Sequence, residues 1–578
     1  MRFSMGQETN IESIRALEKQ IAEGKGDIIK LKRIRNSLLN ISARVPPEIL
    51  GSIFAWVVAR RRDFSLHSLA HFAGIEKGSY TFRLVCHHWY DVASKTPEVW
   101  AFWGKTLEKW DSWFYRSRAT PIDLVLERSA DNPGTFNVHL RIALRDRATR
   151  DEIRQIHLLA DKPYLLAPTF SCLTPDGEDT REMHVESIIV RAETIPAELS
   201  TFFARSRLPN LRSLQINVYG NLTTPSYFSA YGRPQRLLWE NLPLPPFTRL
   251  ISLSLRAEQQ LSITASQLTS ILTSNPNLQE LDLSYSALPS DVDAPGVRIP
   301  LLRLREIHLA GKARRLFWLL NLLELPSALD SVGITIEDFT TEDILQTLGP
   351  YMRDHFRRDI RFQGRLDVVI IIDSGGDVHV NDGLYGELEL TVEPEESLRS
   401  TYFSVSLLAP APLDPATESL FLDLVTFIPP ERVVALETEY CTYSAKLPED
   451  LLVAMPIEKL YLQAPTLSDG FLQPDPNGPH AKTGLFPSLQ FLRLETLAMR
   501  DVDWEPLVKY LAHRTPDNQA VSLMVTECPR MPPEVEKEIR GLVGTFFYDP
   551  YPEREDGEDE DKGGDSEGSE LEDEEAGR

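Results

Sequence analysis

Residues 275–283 read NPNLQELDL, and the spacing of their leucines decides the fold. Leu278, Leu281 and Leu283 follow one template: apolar, two residues, apolar, one residue, apolar. Side chains alternate between the two faces of an extended strand, so the final pair points the same way, inward, while the first leucine packs from a turn. The template recurs as Leu211, Leu214 and Ile216 in LPNLRSLQI, as Leu250, Leu253 and Leu255, and as Leu304, Ile307 and Leu309. It returns as Ile457, Leu460 and Leu462 and as Leu489, Leu492 and Leu494 in FPSLQFLRL. Weaker copies start at Val185, Leu329, Leu366, Val433 and Ala520. Successive copies stand mostly about 24 to 39 residues apart, and segments between them, such as ITASQLTSILTSNP, have helical spacing.

Self-similarity of this kind is the mark of stacked units, each a strand plus a helix, and it resembles the leucine-rich repeat. The spacing is uneven, so the expected array over residues 116–548 is an irregular leucine-rich repeat solenoid. Adjacent strand-like runs between 361 and 408 (VVIII, ELELTV, YFSVSLL) stand for a repeat insertion or a small sheet. Residues that alternate with the inward pairs fall on the open strand face. Gln215, Ser254, Asp282, His308, Tyr461 and Arg493 are the candidate contacts to a protein target, with a merely solvated strand face as the competing reading for each. They share no uniform charge, so the chemistry of the target is not readable from them.

The first part of the chain has a different period. Ile14, Ile21 and Ile28, with Leu17, Leu31 and Leu38, mark heptads over about residues 11–41, interrupted by Gly24 and Arg35. Residues 1–42 therefore form a helix that either packs on the next domain or self-associates weakly as a short coiled coil. In VPPEILGSIFAWVV, residues 45–58, Pro46 and Pro47 open a helix, Glu48 suits the positive end of its dipole, and Ile49, Leu50, Ile53, Phe54 and Val57 make an apolar stripe. A polar stretch with glycines follows at 59–79. A second helix carries Leu84, Val85, Trp89, Val92 and Ala93, and Thr96-Pro97 starts a third with Trp100, Trp103, Leu107, Trp110 and Phe114. Six of the nine tryptophans lie between residues 56 and 113, so 43–115 is a compact helical unit or an interface.

Composition narrows the function. A chain of 578 residues exceeds one hydrophobic core, and a net charge of -24 argues against a phosphate-binding surface, so no nucleic acid is expected. Cys86, Cys172, Cys441 and Cys528 are scattered without ligand spacing, as in a reducing compartment. No secretory leader and no apolar run of membrane-spanning length is read, so cytoplasm and/or nucleus is the expected location. Residues 549–578 form an acidic tail, expected to be disordered, that holds nearly half of the net charge. His67 and His71 lack the glutamate of a zinc-protease helix. Cys86, His87 and His88 are neighbours on different helix faces, and IIDSGGDVHVNDG at 371–383 lacks phosphate-loop and calcium-loop spacing and suits a pair of turns. No catalytic residue, metal or cofactor is therefore expected, and the chain is not expected to be an enzyme.

The segment 45–100 resembles an F-box. The residues that carry the resemblance are VPPEIL, Ile53-Phe54, Leu84, Val85-Cys86, Trp89, Val92-Ala93 and TPEVW, with Val45 where the family has leucine and a lengthened connection at 59–79. The resemblance implies docking on a Skp1-type adaptor and, through it, on a cullin-RING ubiquitin ligase. It assigns that contact to Val45, Pro46, Pro47, Glu48, Ile49, Leu50, Ile53, Phe54, Leu84, Val85, Trp89 and Trp100. The expected fold class is α/β (α+β): an N-terminal helical F-box module followed by the irregular solenoid. The expected role is that of a substrate-recognition adaptor of an SCF-type ligase. A leucine-rich repeat scaffold with no part in ubiquitin transfer is the alternative.

Overall fold

A computed structural model of the protein describes residues 15–20, 34, 45–65, 87–103, 121–128, 153–160, 163–174, 181–192, 197–218, 247–257, 263–285, 287–292, 297–380, 383–395, 401–410, 415–439, 449–463, 486–495, 504–514, 521–528 and 530–550. They fall into two compact units, Met1–Phe339 and Thr340–Arg578. Residues 15–20 are helical; the rest of the heptad segment (apart from 34), residues 66–79 of the polar stretch, and the acidic stretch from 551 lie outside the described residues.

The first unit opens with two helices, α1 (Pro47–Ser65) and α2 (His87–Lys95), and one 3-10 turn, Pro97–Val99. The chain then enters a parallel sheet. Its strands are β1 (Phe102–Trp103), β2 (Ile122–Arg128) and β3 (Ile153–Ala160), then, after a two-residue β4 (Arg181–Glu182), β5 (Ser187–Ala192). β6 (Ser206–Arg207) pairs with β4, and β7 (Ser213–Val218), β8 (Ser252–Ala257) and β9 (Glu280–Tyr285) continue the main sheet. Beyond β10 (Ile299–Pro300) come β11 (Glu306–Lys312), β12 (Leu323–Glu324), which pairs with β10, and β13 (Ser331–Glu337). Each main strand lies parallel to the next, in the order β1-β2-β3-β5-β7-β8-β9-β11-β13.

Register explains why these residues make this sheet. Leu214, Leu253, Leu281 and Ile307 pair in one line, and Ile216, Leu255, Leu283 and Leu309 in a second. All eight are 2% exposed or less. Two residues apart on each strand, they face the same side and form a continuous apolar layer. The first leucine of each template copy is also buried, and turn bonds seat it: Leu278 N–H donates to Asn275 O at 3.1 Å and Leu304 N–H to Leu301 O at 3.0 Å. Asn275, 1% exposed, accepts from Leu250 N–H at 2.8 Å and donates to Phe247 O and Ile271 O, both at 2.7 Å. It ties the entry of β8 to the end of the helix at Ala265–Ser274, and each of its polar atoms is satisfied.

The second unit begins with a helical turn at Thr341–Asp343, a π-turn at Ile344–Leu348 and a helix, Gly349–Arg358. Three antiparallel strands follow: β14 (Leu366–Val380), β15 (Gly383–Pro394) and β16 (Tyr402–Pro410). Then β17 (Val433–Glu439), β18 (Lys459–Gln463), β19 (Phe491–Glu495), β20 (Ser522–Cys528) and β21 (Thr545–Pro550) extend from β14 in parallel.

The expected fold class needs correction. Among the described residues each unit is dominated by a mostly parallel sheet, and the structure is neither a helical module followed by a solenoid nor a solenoid at all. Two physical reasons stand out. First, the described start of the expected third helix is a 3-10 turn followed by a strand: Trp100 is fully buried and its indole N–H donates to Ala93 O at 2.5 Å. That ends the helical segment, and Phe102–Trp103 pairs with β2 as a strand; residues 104–114 lie outside the described residues. Second, the leucine template specifies a turn and a strand but not the return path between strands. Here helices α3 (Pro163–Leu173), α4 (Ala197–Arg205), α5 (Ala265–Ser274) and α6 (Ala313–Leu322) alternate with two-residue strands, and β14–β16 reverse direction. The segment 371–383, expected to hold turns, is instead mostly the outer part of β14, with a register shift between Asp373 and Val378.

Two stability predictions follow from buried polar groups. Asn275→Ala strands the Leu250 N–H and the Phe247 carbonyl, so urea unfolding should show a loss of about 2–3 kcal/mol. In the second unit His355 is 7% exposed and packs against Phe356, Phe362 and Phe403, with ring centroids 5.6, 5.2 and 5.2 Å away. Burial pushes its pKa down to about 4, against the pull of Asp359 and with help from Arg361. Between about pH 6.5 and 4 the unfolded chain takes up a proton here that the folded chain refuses. Stability should therefore fall by up to about 3 kcal/mol as pH drops through that window, and His355→Leu should flatten the slope of unfolding free energy against pH.

Candidate functional site

Helix α1 has two apolar sides, one buried in a core and one about half exposed. Pro47 opens the helix, Glu48 lies in its first turn, and Leu50 N–H donates to Pro46 O at 3.0 Å. Leu50 and Phe54, 3% and 1% exposed, face inward and join Val92, Ala93, Val99 and Trp100 in a small core, with Val45 and Trp89 packed against it. The Phe54 and Trp89 rings meet at 4.9 Å between centroids. Thr96 Oγ1 donates to Val92 O at 2.8 Å and lies under α1 at Gly51, where an added Cβ would come within 2.7 Å of that oxygen. Glycine is what lets α1 approach so closely.

On the other apolar side stand Ile49, Ile53 and Trp56, 54%, 46% and 57% exposed. Positions four and three residues apart share one side of a helix, so the three form a single outward stripe. Pro46, Pro47, Glu48 and Ser52 are exposed beside it. The twelve residues assigned to adaptor docking thus divide. Pro46, Pro47, Glu48, Ile49 and Ile53 are on the surface; Val45 and Trp89 are half-buried; Leu50, Phe54 and Trp100 are core. Leu84 and Val85 lie outside the described residues. The three core residues act by holding the helix pair, because a side chain closed off from solvent meets no partner. Trp56 was missing from the sequence assignment, although its position seven after Ile49 carried the signal. Around α1 from the stripe, a groove of about 730 Å³ runs between the two helices, lined among others by Glu48, Ser52, His88, Asp91, Lys95 and Glu98.

The candidate target contacts alternate with the aliphatic core positions on their strands; Ser254 is buried, 7% exposed, and Gln215, Asp282, His308, Tyr461 and Arg493 are half-buried. Gln215, Ser254, Asp282 and His308 stand in one register line across β7, β8, β9 and β11. The line is largely self-satisfied. Ser254 Oγ donates to Asp282 at 3.0 Å, Arg256 Nε donates to the same carboxylate at 2.7 Å, and His308 Nε2 lies 3.3 Å from Ser331 Oγ. Burial pushes the His308 pKa down, Asp282 opposes it, and Arg256 reinforces it. The next position in the line is Gly333, where a Cβ would stand 2.6 Å from His308 Nδ1, so the imidazole occupies the space a side chain would need. Ser331 is 5% exposed, and a serine so enclosed offers a substrate no approach. Tyr461 and Arg493 are register partners on β18 and β19 in the second unit. Among the described residues no group of three His, Cys, Asp or Glu side chains is placed to hold a metal ion, and no helix is long and apolar enough to cross a membrane.

No protein-family model matches the chain, and no curated protein matches it. Substitutions separate the two sides of α1. Phe54→Ala should cost about 3–5 kcal/mol in urea unfolding, as for other core aromatics, whereas Trp56→Ala should stay within about 1 kcal/mol because its side chain already faces water. Equal losses for the two would mean that the stripe is structural.

Proposed function

We propose that the chain is a non-catalytic adaptor that docks a Skp1-type subunit through α1, joins a cullin-RING ubiquitin ligase, and presents a protein target held on its sheet faces. The observation that carries this reading is the outward stripe of Ile49, Ile53 and Trp56. Three large apolar side chains adjoining one another on one helix, anchored by a core on its other side, form a surface that gains by being covered. Burying each fully is worth about 1.5–3 kcal/mol. The VPPEIL start, which resembles the F-box, sits at the head of that same helix. The chemistry would be left to the ligase. The adaptor raises the local concentration of a target lysine near the charged conjugating enzyme, and proximity alone supplies a large acceleration.

Calorimetric titration with a purified Skp1-type protein tests the reading. Ile53→Ala and Trp56→Ala should each weaken binding about thirtyfold, corresponding to about 2 kcal/mol for a central anchor, while Gln215→Ala should leave it unchanged. Absence of binding by the intact chain overturns the proposal. Binding of the Skp1-type protein without recruitment of a cullin would indicate a scaffold outside ubiquitin transfer.

A further inference from the structure

The two faces of the second unit's sheet differ in chemistry. Val368, Leu436, Leu460, Leu492 and Leu523 are 1% exposed or less, so the core lies on their side. The residues that alternate with them make the other face, from β15 through β14 and β17 to β21. At about 4.8 Å per strand it is roughly 29 Å across. Three register lines run over it. The first passes from Glu393 and Asp367 to Lys459 and Phe491. The second passes from Glu437 through Tyr461, Arg493 and Met524 to Phe547, and the third from Glu495 through Thr526 to Asp549. Glu389 adds a carboxylate on β15, and Arg365 and Glu395 stand where β14 begins and β15 ends. Among the described side chains this face therefore carries seven carboxylates against the three cations Arg365, Lys459 and Arg493.

All three cations are already engaged. Arg493 Nη2 meets Glu495 at 2.6 Å, Lys459 Nζ meets Glu395 at 2.9 Å, and Arg365 Nε meets the same glutamate at 2.8 Å. Among the described residues no cation stands at ion-pair distance from Asp367, Glu393 or Asp549. Two buried polar atoms on the face lack a partner as well. Asp367 Oδ1 accepts no hydrogen bond; burial pushes the pKa of this carboxyl up and Glu395 adds to the push, against Lys459 and Arg365. Thr526, 8% exposed, stands on the third line between Glu495 and Asp549, and its hydroxyl has no hydrogen-bond partner. A buried acceptor among unpaired carboxylates is completed by a cationic group rich in donors. Two aromatic rings lie between the carboxylates, those of Tyr461 and Phe491, 5.6 Å apart between centroids. A guanidinium both forks onto carboxylates and stacks on aromatic faces, which an ammonium does less well.

We propose that this face of the second unit, from Glu393 and Asp367 past Tyr461 and Phe491 to Thr526 and Asp549, docks a basic, arginine-bearing segment of a partner polypeptide. The proposal rests on the adaptor reading only in calling that partner the target. Charge complementarity selects the occupant: the surplus of carboxylates attracts a basic segment and repels anionic ligands. The net charge of the whole chain, -24, steers the same segment toward it.

The probe is a labelled peptide of about nine residues that alternates arginine and threonine, roughly 30 Å long when extended, with lysine and glutamate versions beside it. Titrated on the intact protein by fluorescence anisotropy, the arginine peptide should bind and the glutamate peptide should not. Affinity should fall at least about tenfold between about 50 and 500 mM salt. The acidic stretch from 551 attracts any cation, so the place of binding is tested at equal charge. Glu393→Gln with Asp549→Asn removes two charges from the face, and Glu574→Gln with Glu575→Gln removes two from that stretch. The face pair should weaken the arginine peptide about fivefold or more and the other pair less than about twofold. Because Glu393 and Asp549 are exposed, the melting temperature of the face pair should match the parent, which separates lost contact from lost folding. Tyr461→Ser should narrow the gap between the arginine and lysine peptides. Absence of arginine-peptide binding, or equal losses for the two pairs, would overturn the proposal. So would a dimer of the intact protein that dissociates with the face pair, which would assign the face to a second copy. The face pair is also titrated with the Skp1-type protein. Failure there by the intact chain sinks the adaptor reading and leaves the acidic face standing, while Skp1-type binding with no arginine peptide on this face does the reverse.

Discussion

Lateral stacking of aliphatic side chains along the strand lines is the constraint on which the sheets depend. In the first unit Leu214, Leu253, Leu281 and Ile307 form one such line, and in the second unit Val368, Leu436, Leu460, Leu492 and Leu523 form another. A slip of one residue between any two strands would turn every inward leucine toward solvent and every polar residue toward the core, so burial of one face locks the register. Once the register is locked, the open face is determined as well. His308 comes to lie beside Asp282 and Gly333, and Tyr461 beside Arg493, because the leucines between them leave no other pairing.

The helix pair at the start of the chain works by a related division. Among the described residues its core holds six buried side chains, closed by the Trp100 indole bonded to Ala93. The side of α1 turned away from that core carries Ile49, Ile53 and Trp56, each about half exposed. Gly51 and Thr96 matter to the outer surface for this reason, although neither belongs to the stripe. By setting how closely α1 approaches the chain around Thr96, they set how the helix is presented.

Irregular returns make the open faces unequal. Where successive strands carry serine, glutamine and aspartate, the face binds its own neighbours, as Ser254 and Arg256 do with Asp282. On β18 and β19 of the second unit the neighbours differ in kind: the Tyr461 and Phe491 rings meet at 5.6 Å between centroids, and Arg493 pairs with Glu495.

The sequence by itself determined which residues share a strand face, where the strands with the leucine template lie, and where α1 begins, because these depend on local spacing: two residues on a strand, three or four on a helix, proline at the first turn. It did not determine the path between strands, and in place of the expected irregular solenoid the strands form mostly parallel sheet with varied returns. Nor did it determine which stripe of α1 turns inward. Leu50 with Phe54 and Ile49 with Ile53 are equally apolar and equally spaced, and nothing local ranks one pair above the other. Trp100 decides it by filling the space beside Phe54 from some forty-six residues further along the chain, and in doing so it ends the helical run that its own spacing had predicted. Which face is covered depends on what arrives from a distance, and that is settled only when the tertiary contacts close.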